Sequence, residues 1–204
     1  MVFSSSDSQF SIVNHRLVGD GVIRMECTKN TRGVAGPDMI ILHYTAGSSV
    51  MSSSRYLARP NVAASAHLVI GRAGEVIQLV PFNIEAWHAG KSRYKGRSEL
   101  NHYSIGIELD NAGELKRVGD RYFSWFGREY SPDQVYTTEE NGKAKYWHLF
   151  TEGQFAVAEE VCRLLKERYG IKYLVRHSDI TTRKVDPGPA FPFEVLKKKL
   201  GFND

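Results

Sequence analysis

Three short and almost entirely apolar runs place the strongest constraint on the fold of this chain. Each run contains or precedes a titratable side chain. The runs and their polar residues are 39–42 with His43, 105–109 with Glu108, and 171–176 with His177. Continuous apolar runs of this length are typical of strands buried on both faces. A polar side chain placed there must be paired or functional, since burial without a partner costs free energy. We therefore expect a functional site where these strands meet the surface.

Length and composition limit the possible classes of protein. The chain has 204 residues, of which 42% are hydrophobic and 25% charged, which fits one globular domain and not a disordered chain. No apolar run approaches the ~20 residues of a membrane span, so no membrane insertion is expected. Two cysteines, Cys27 and Cys162, are too few for a disulfide scaffold and lack CxxC metal spacing. Both are predicted to be buried.

Charge is concentrated near the C-terminus. The net charge is +4, and residues 163–199 contain ten Lys or Arg against four Asp or Glu. Such a segment could bind nucleic acid or another anionic polymer, or form a solvated helix face. No nucleic-acid-binding signature accompanies it, so no nucleic acid partner is predicted. The sequence does not indicate an oligomeric state.

Strand and helix signals alternate along the chain and predict a single α/β domain, a mixed β-sheet flanked by helices, over residues 1–204. Residues 1–38 are expected to form an N-terminal extension with an edge hairpin that turns at 19–21. Ser49 can cap a helix that runs to about Ala58. Gly74 supplies the positive φ of a tight hairpin between 66–71 and 75–81.

The second half contains one unusual stretch. Residues 114–148 are rich in aromatic residues and are expected to be an irregular insertion or flap. A capping-box pattern at 151–154 then predicts a helix that ends at Gly170. A strand over 171–176 and a last helix over 193–200 complete the expected elements.

His43, His177 and Asp186 are candidates for one metal site. A lone histidine in an apolar strand is more often a hydrogen-bonded core residue, and that reading stays open for each histidine alone. The eight residues between His177 and Asp186 are enough for the chain to fold back and bring both side chains to one point. Two imidazoles and one carboxylate are an established ligand set for catalytic zinc. Spacing alone leaves both interpretations possible.

Glu108 and Lys184 are candidates for groups that act on a substrate. Burial within 105–109 should raise the pKa of Glu108, which suits a general base near neutral pH. Ser104 and Gly106 share a strand face with Glu108 and could line a groove. Lys184 lies two positions before Asp186 and could point into the same cavity. Each could instead be an ordinary solvent-exposed residue.

Taken together, the motifs of this chain resemble a known family, the zinc-dependent N-acetylmuramoyl-L-alanine amidases of the amidase-2 or AmpD type, related to bacteriophage lysozyme-type amidases and peptidoglycan recognition proteins. The matching segments occur in family order at 41–45, 66–70 with Gly74, 80–82, 86–90, 101–109, 177–180 and 184–189.

The resemblance implies a zinc hydrolase that cleaves the amide bond between N-acetylmuramic acid and L-alanine in peptidoglycan or anhydro-muropeptides, with one Zn²⁺ per chain. It implies the metal ligands His43, His177 and Asp186. Glu108 would be the general acid/base on a zinc-bound water, and Lys184 the cation near the reacting carbonyl. The residues that it implies for substrate binding are His67, Trp87, His88, Arg97 and Asn101.

Departures from the family pattern affect one mechanistic variant. Some relatives carry a catalytic tyrosine where this chain has Ala66, so Glu108 is expected to handle the proton. The loop between His177 and Asp186 looks one residue shorter than in close relatives, with Thr181 and Thr182 where they commonly have Pro-Gly.

The sequence leaves alternative functions open. A non-catalytic peptidoglycan-binding module is the main one, and a glycosidase with two carboxylates is another. No signal peptide is visible, which favours a cytoplasmic location, with an exported or wall-associated protein as the alternative.

Overall fold

The computed structural model describes residues 8–34 and 36–202. It contains a six-stranded mixed sheet, a five-stranded antiparallel sheet, and four α-helices. The six strands of the main sheet, in spatial order, are β15 (Tyr173–Arg176), β4 (Met39–Tyr44), β9 (Ser104–Leu109), β5 (Leu68–Ile70), β6 (Val76–Gln78) and β3 (Val22–Arg24). This architecture confirms the predicted single α/β domain.

Strand direction in the main sheet determines where its polar residues lie. The four strands from β15 to β5 are mutually parallel, β6 is antiparallel to β5, and β3 is parallel to β6. Parallel neighbours have their carboxyl ends at the same edge of a sheet. The carboxyl ends of β15, β4 and β9 therefore meet at one edge.

Helices cover both faces of this sheet. The helices are α1 (Val50–Ala58), α2 (Glu152–Tyr169), α3 (His177–Ile180) and α4 (Phe193–Lys199). On one face, Ile40 and Ile105 pack with Val161 of α2 and Leu196 of α4. On the other face, α1 packs through Leu57. No helix within the described residues has the length and apolar character that crossing a membrane requires.

Local signals placed the helix ends correctly. The Ser49 hydroxyl accepts a hydrogen bond from the Ser52 amide at the start of α1. Thr151 and Gln154 form the reciprocal capping box of α2, which ends at Gly170 in the left-handed conformation with φ 65°. The hairpin of β5 and β6 is also confirmed, with Gly74 at φ 91°.

The predicted N-terminal hairpin was wrong in its position. The hairpin joins β1 (Phe10–Val13) to β2 (Arg16–Gly19) and turns at Asn14 and His15, not at 19–21. Residues 22–24 leave it and pair with β6. Burial explains this register, because Phe10 and Leu17 both enter the core and the Leu17 amide donates to the buried Gln78 side chain. Residues 1–7 of the expected extension lie outside the described part of the chain.

The segment 114–148 is ordered into strands, which corrects the expectation of an irregular flap. Its five antiparallel strands are, in spatial order, β12 (Glu129–Tyr130), β11 (Arg121–Phe123), β10 (Glu114–Val118), β14 (Lys143–His148) and β13 (Val135–Glu140). We call this unit the insertion sheet. Leu115 and Tyr130 form its small core together with partly buried Tyr122 and Tyr146. The two remaining short strands, β7 (Arg93–Tyr94) and β8 (Arg97–Ser98), pair with each other in a separate hairpin.

Candidate metal centre

Three buried side chains converge at the carboxyl edge of the main sheet. His43 lies near the end of β4, His177 directly follows β15 as the first residue of α3, and Asp186 is brought back by the following loop. The two Nδ1 atoms lie 3.0 Å apart, and Asp186 Oδ2 lies 3.0 Å from His43 Nδ1 and 2.9 Å from His177 Nδ1. The sequence therefore predicted which three residues meet.

The chemistry of these three donors fits a divalent cation. Tetrahedral zinc with bonds of about 2.0–2.1 Å needs ligand atoms roughly 3.3 Å apart, close to the observed triangle. Two imidazole nitrogens and a carboxylate oxygen lie in mutual contact here. Because these atoms mostly present lone pairs to one another, they repel each other. A shared cation removes that repulsion, so the cluster His43, His177 and Asp186 could hold a metal ion.

A chain of hydrogen bonds determines the tautomer of His43. The Ser104 hydroxyl donates to the Leu100 carbonyl at 2.7 Å, so it accepts from Nε2 of His88 at 3.2 Å. His88 Nδ1 then has no proton and accepts from Nε2 of His43 at 3.0 Å. Nδ1 of His43 is therefore the unprotonated nitrogen, which is the form a metal ligand requires.

Burial keeps these imidazoles neutral. Desolvation lowers the pKa of His43 despite the opposing effect of the Asp186 carboxylate. Desolvation, reinforced by the neighbouring histidines, holds the pKa of His88 well below its ordinary value. For Asp186, burial alone would raise the pKa, but the proximity of His177 and His43 outweighs burial and lowers it. His43 and His88 are thus held neutral, and the Asp186 carboxylate is held ionised.

Gly106 makes room for the His88 ring. A Cβ at position 106 would lie 2.3 Å from Cγ of His88, far inside van der Waals contact. The predicted small-residue face of β9 is thus real: Ser104 binds His88, Gly106 accommodates it, and Glu108 reaches the cavity.

Glu108 lies beside the side-chain cluster of His43, His177 and Asp186. One of its carboxylate oxygens, Oε2, is buried and has no hydrogen-bond partner among the described residues. Desolvation, and then the negative charge of Asp186, raise the pKa of Glu108 well above its usual value, while Lys184 acts in the opposite direction. This carboxyl group can therefore exchange a proton nearer to neutral pH than an ordinary glutamate.

A cavity of about 350 Å³ opens over the cluster. Among the residues predicted to bind substrate, Trp87 and His88 line it, as do Glu108 and Lys184. Both ring nitrogens of His88 are, however, used within the protein. Arg183 also lines the cavity and was not singled out from the sequence, since an exposed arginine in a basic run carries no distinguishing signal.

Three other predicted substrate-binding residues do not line this cavity. Both ring nitrogens of His67 are used in the core, where Nδ1 accepts from the Gly106 amide and Nε2 donates to the Ile84 carbonyl. Nη1 of Arg97 donates to both carboxylate oxygens of Asp38. The Asn101 side chain accepts from the amides of residues 88 and 89 and so fixes the loop that carries His88.

The insertion sheet contributes to the same edge of the main sheet. Trp125 Nε1 donates to the Ala46 carbonyl at 2.7 Å, and Arg128 donates to the Ser48 carbonyl at 2.9 Å. Trp147 of β14 packs beside the turn after Asp186, where a Cβ on Gly188 would lie 3.2 Å from its ring. Aromatic content was the one available signal, and it does not specify a position in space.

Comparison with known proteins gives a family. A family model described as N-acetylmuramoyl-L-alanine amidase matches residues 33–189. The 1,6-anhydro-N-acetylmuramyl-L-alanine amidase AmpD of Escherichia coli (strain K12) is 36% identical over 141 residues, 66% of this chain and 59% of that protein. The N-acetylmuramoyl-L-alanine amidase AmiD of the same strain is 32% identical over 170 residues, 79% of this chain and 52% of that protein. The chain thus spans between half and three fifths of the length of these curated relatives.

Solved structures agree on the fold. A selenomethionine derivative of AmpD superposes with a TM-score of 0.65 at 24% identity, covering 93% of this chain and 98% of that one. The complex of E. coli AmiD with the substrate anhydro-N-acetylmuramic acid-L-Ala-D-gamma-Glu-L-Lys gives a TM-score of 0.62 at 26% identity, covering 97% of this chain and 68% of that one.

Proposed function

The chain belongs to the N-acetylmuramoyl-L-alanine amidase family, and we propose that it hydrolyses the amide bond between N-acetylmuramic acid and L-alanine in muropeptides. Anhydro-muropeptides are the proposed substrates, because AmpD is named for them and AmiD has been solved with one. The observation that carries the proposal is the convergence of His43, His177 and Asp186 beside Glu108 at one sheet edge.

Zinc is the proposed metal, held by these three side chains. When bound there, it would act as a Lewis acid that makes a water molecule a better nucleophile and polarises the scissile carbonyl. His88 and Ser104 keep His43 in the tautomer that can bind the ion.

Glu108 is the proposed proton carrier. It would take a proton from the attacking water as the new carbon–oxygen bond forms, and deliver that proton to the alanine nitrogen as the amide bond breaks. The products are a muramic carboxylic acid and a free peptide amine. The raised pKa supports both steps, because a carboxyl group that titrates nearer to neutrality can serve as base and then as acid.

Lys184 is the proposed electrostatic partner of the carbonyl oxygen. It lines the same cavity as Glu108 and Asp186 and is charged and exposed. A cation aimed at the oxygen that gains negative charge lowers the barrier, on the scale of about 2.7–4 kcal/mol for one well-placed donor.

A non-catalytic muropeptide-binding module is the alternative function. Such a module has no need of a desolvated carboxylate with an unpartnered oxygen beside a metal cluster. The energetic cost of that arrangement favours the enzyme.

Mass analysis of products from purified anhydro-muropeptides and intact sacculi tests the proposal. With zinc present we expect free stem peptide that begins with L-alanine, and no product after chelation. Binding without cleavage would favour the alternative module, and cleavage between sugars would indicate a glycosidase.

The metal assignment has its own test. His177→Ala should release zinc, measured as metal per chain, whereas His102→Ala should not, because His102 pairs with Glu85 away from the cluster. Full zinc occupancy in His177→Ala would contradict the ligand assignment.

A further inference from the structure

A second cavity, of about 480 Å³, continues from the cavity over His43, His177 and Asp186, which we call the metal cavity. The two share Thr45, Ala46, Leu57 and Glu108 as walls, so they form one cleft with Glu108 at the junction. Helix α1 forms one side of the second cavity, and Trp125 and Phe126 of the insertion sheet form the other. We call it the aromatic groove.

The two halves of the cleft differ in charge. Arg183 and Lys184 line the metal cavity together with the carboxylates of Asp186 and Glu108, and the proposed zinc ion would add two positive charges there. Of the described residues that line the aromatic groove, Glu108 at the junction alone carries a charge. The proposed scissile amide joins an uncharged sugar to a peptide that carries carboxylates. Charge complementarity therefore places the peptide in the cationic half and the sugar in the neutral half.

The aromatic wall suits the apolar face of a sugar ring. Trp125 is 76% exposed, and Phe126 meets it edge-on with ring centroids 5.6 Å apart. Trp125 and Phe126 lie in the turn between β11 and β12. Hydrogen bonds from Trp125 to Ala46 and from Arg128 to Ser48 hold this turn against the loop that follows β4. A large aromatic side chain held open to solvent at a cleft is an ordered binding surface that loses little entropy when a ligand stacks on it.

The opposite wall offers a polar group without a partner. Ser53 is more than nine-tenths buried, lines the groove, and its hydroxyl has no hydrogen-bond partner among the described residues. Buried hydroxyls are normally satisfied, and a ligand group in the groove could complete the hydrogen bonding of Ser53. Sugar hydroxyl and N-acetyl groups provide such partners.

We infer that the aromatic groove binds the N-acetylated sugar of the substrate, with Trp125 as stacking platform and Ser53 as hydrogen-bonding partner, which makes the insertion sheet a determinant of substrate specificity. This inference rests on the proposed amidase function, because the orientation follows from the scissile amide at Glu108.

Two substrates isolate the contribution of the groove. One is anhydro-muramoyl-L-Ala-D-γ-Glu-L-Lys, and the other is the matching lactoyl tripeptide, which keeps the amide and the peptide but lacks the sugar. We would measure kcat/KM on both for the zinc-loaded wild type and for the variants Trp125→Ala, Ser53→Ala and Tyr136→Ala. Tyr136 is the matched control, an exposed aromatic of the insertion sheet outside the groove.

The expected result is selective. Trp125→Ala should lose roughly tenfold in kcat/KM on the muramoyl substrate, the scale of one lost apolar contact in a pocket, and should leave the lactoyl substrate unchanged. Ser53→Ala should show the same selectivity, and Tyr136→Ala should change neither value.

Equal losses on both substrates, or no loss on the muramoyl substrate, would overturn the sugar assignment. Failure of the amidase proposal itself is distinguishable, because the wild type would then cleave neither substrate.

Discussion

His43 and Glu108 are paired neighbours in the parallel register of β4 and β9. Residues in register on adjacent strands point to the same face of a sheet, so the candidate ligand and the candidate base are side by side without the help of any loop. The rigid centre of the sheet therefore fixes the separation of the two groups, which is how a catalytic geometry is best held.

Replacement of the Glu108 carboxylate tests its role in proton transfer. Glu108→Gln should retain zinc, because no ligand changes, and should lose roughly 100-fold to 10,000-fold in kcat, the usual contribution of general acid–base catalysis. Turnover of anhydro-muropeptide and metal content are the two measurements. Glu139→Gln, at an exposed position of β13, is the control. Near-normal turnover in Glu108→Gln would remove Glu108 from the proposed role.

His88 should act on metal affinity and not on substrate contact. His88→Gln breaks the relay from Ser104 to His43 and should weaken zinc binding by roughly 10- to 100-fold, the usual effect of losing a group that orients a ligand. Competition with a chelator of known affinity measures this without any assay of turnover. His102→Gln serves as the control. An unchanged zinc affinity in folded His88→Gln would mean that the relay does not support the metal.

Alanine substitutions at two glycines, Gly106 and Gly153, should differ in their effect on stability. Gly106→Ala drives a Cβ into the His88 ring and should destabilise the fold by about 1–3 kcal/mol, as overpacked core positions do. Gly153→Ala lies in the first turn of α2, where a Cβ meets nothing closer than 3.9 Å. It should be neutral or stabilising by up to about 1 kcal/mol. Chemical denaturation of both variants gives the comparison, and equal effects would contradict the steric account of Gly106.

His67 should remain uncharged well below the pH at which histidine normally titrates. Burial lowers its pKa to about 4, despite the hydrogen bond that Nε2 donates to the Ile84 carbonyl, which favours the charged form. The unfolded chain binds a proton near pH 6.5, so stability is lost as the pH falls from there through about 4. The loss amounts to roughly 3 kcal/mol once protonation is complete.

Nuclear magnetic resonance of the His67 ring checks this directly. Its signals should stay at neutral-imidazole positions down to about pH 5. A midpoint near 6.5 for this residue in the folded protein would contradict the burial argument.

Where local signals governed an element, the sequence was a sufficient guide. Such signals act within a few residues, and each was predicted. They are the caps at Ser49 and Thr151, the left-handed Gly170, and the apolar runs of β4 and β9. The N-terminal hairpin shows where this fails. Gly19 and Gly21 favoured a turn there, yet Asn14 and His15 adopt positive φ angles because the core placement of Phe10 and Leu17 outweighs the local strain.

The sequence by itself determined the chemistry available to this protein: two imidazoles, an aspartate, a glutamate within an apolar strand and a nearby lysine. Tertiary structure alone decided that His88 and Ser104 orient His43, that His67, Arg97 and Asn101 serve the framework outside the cavity, and that an insertion sheet forms one wall of the cleft. The reason is that side-chain periodicity is encoded locally. Strand order and register depend on which distant segments bury the most apolar surface together, and no single segment carries that information.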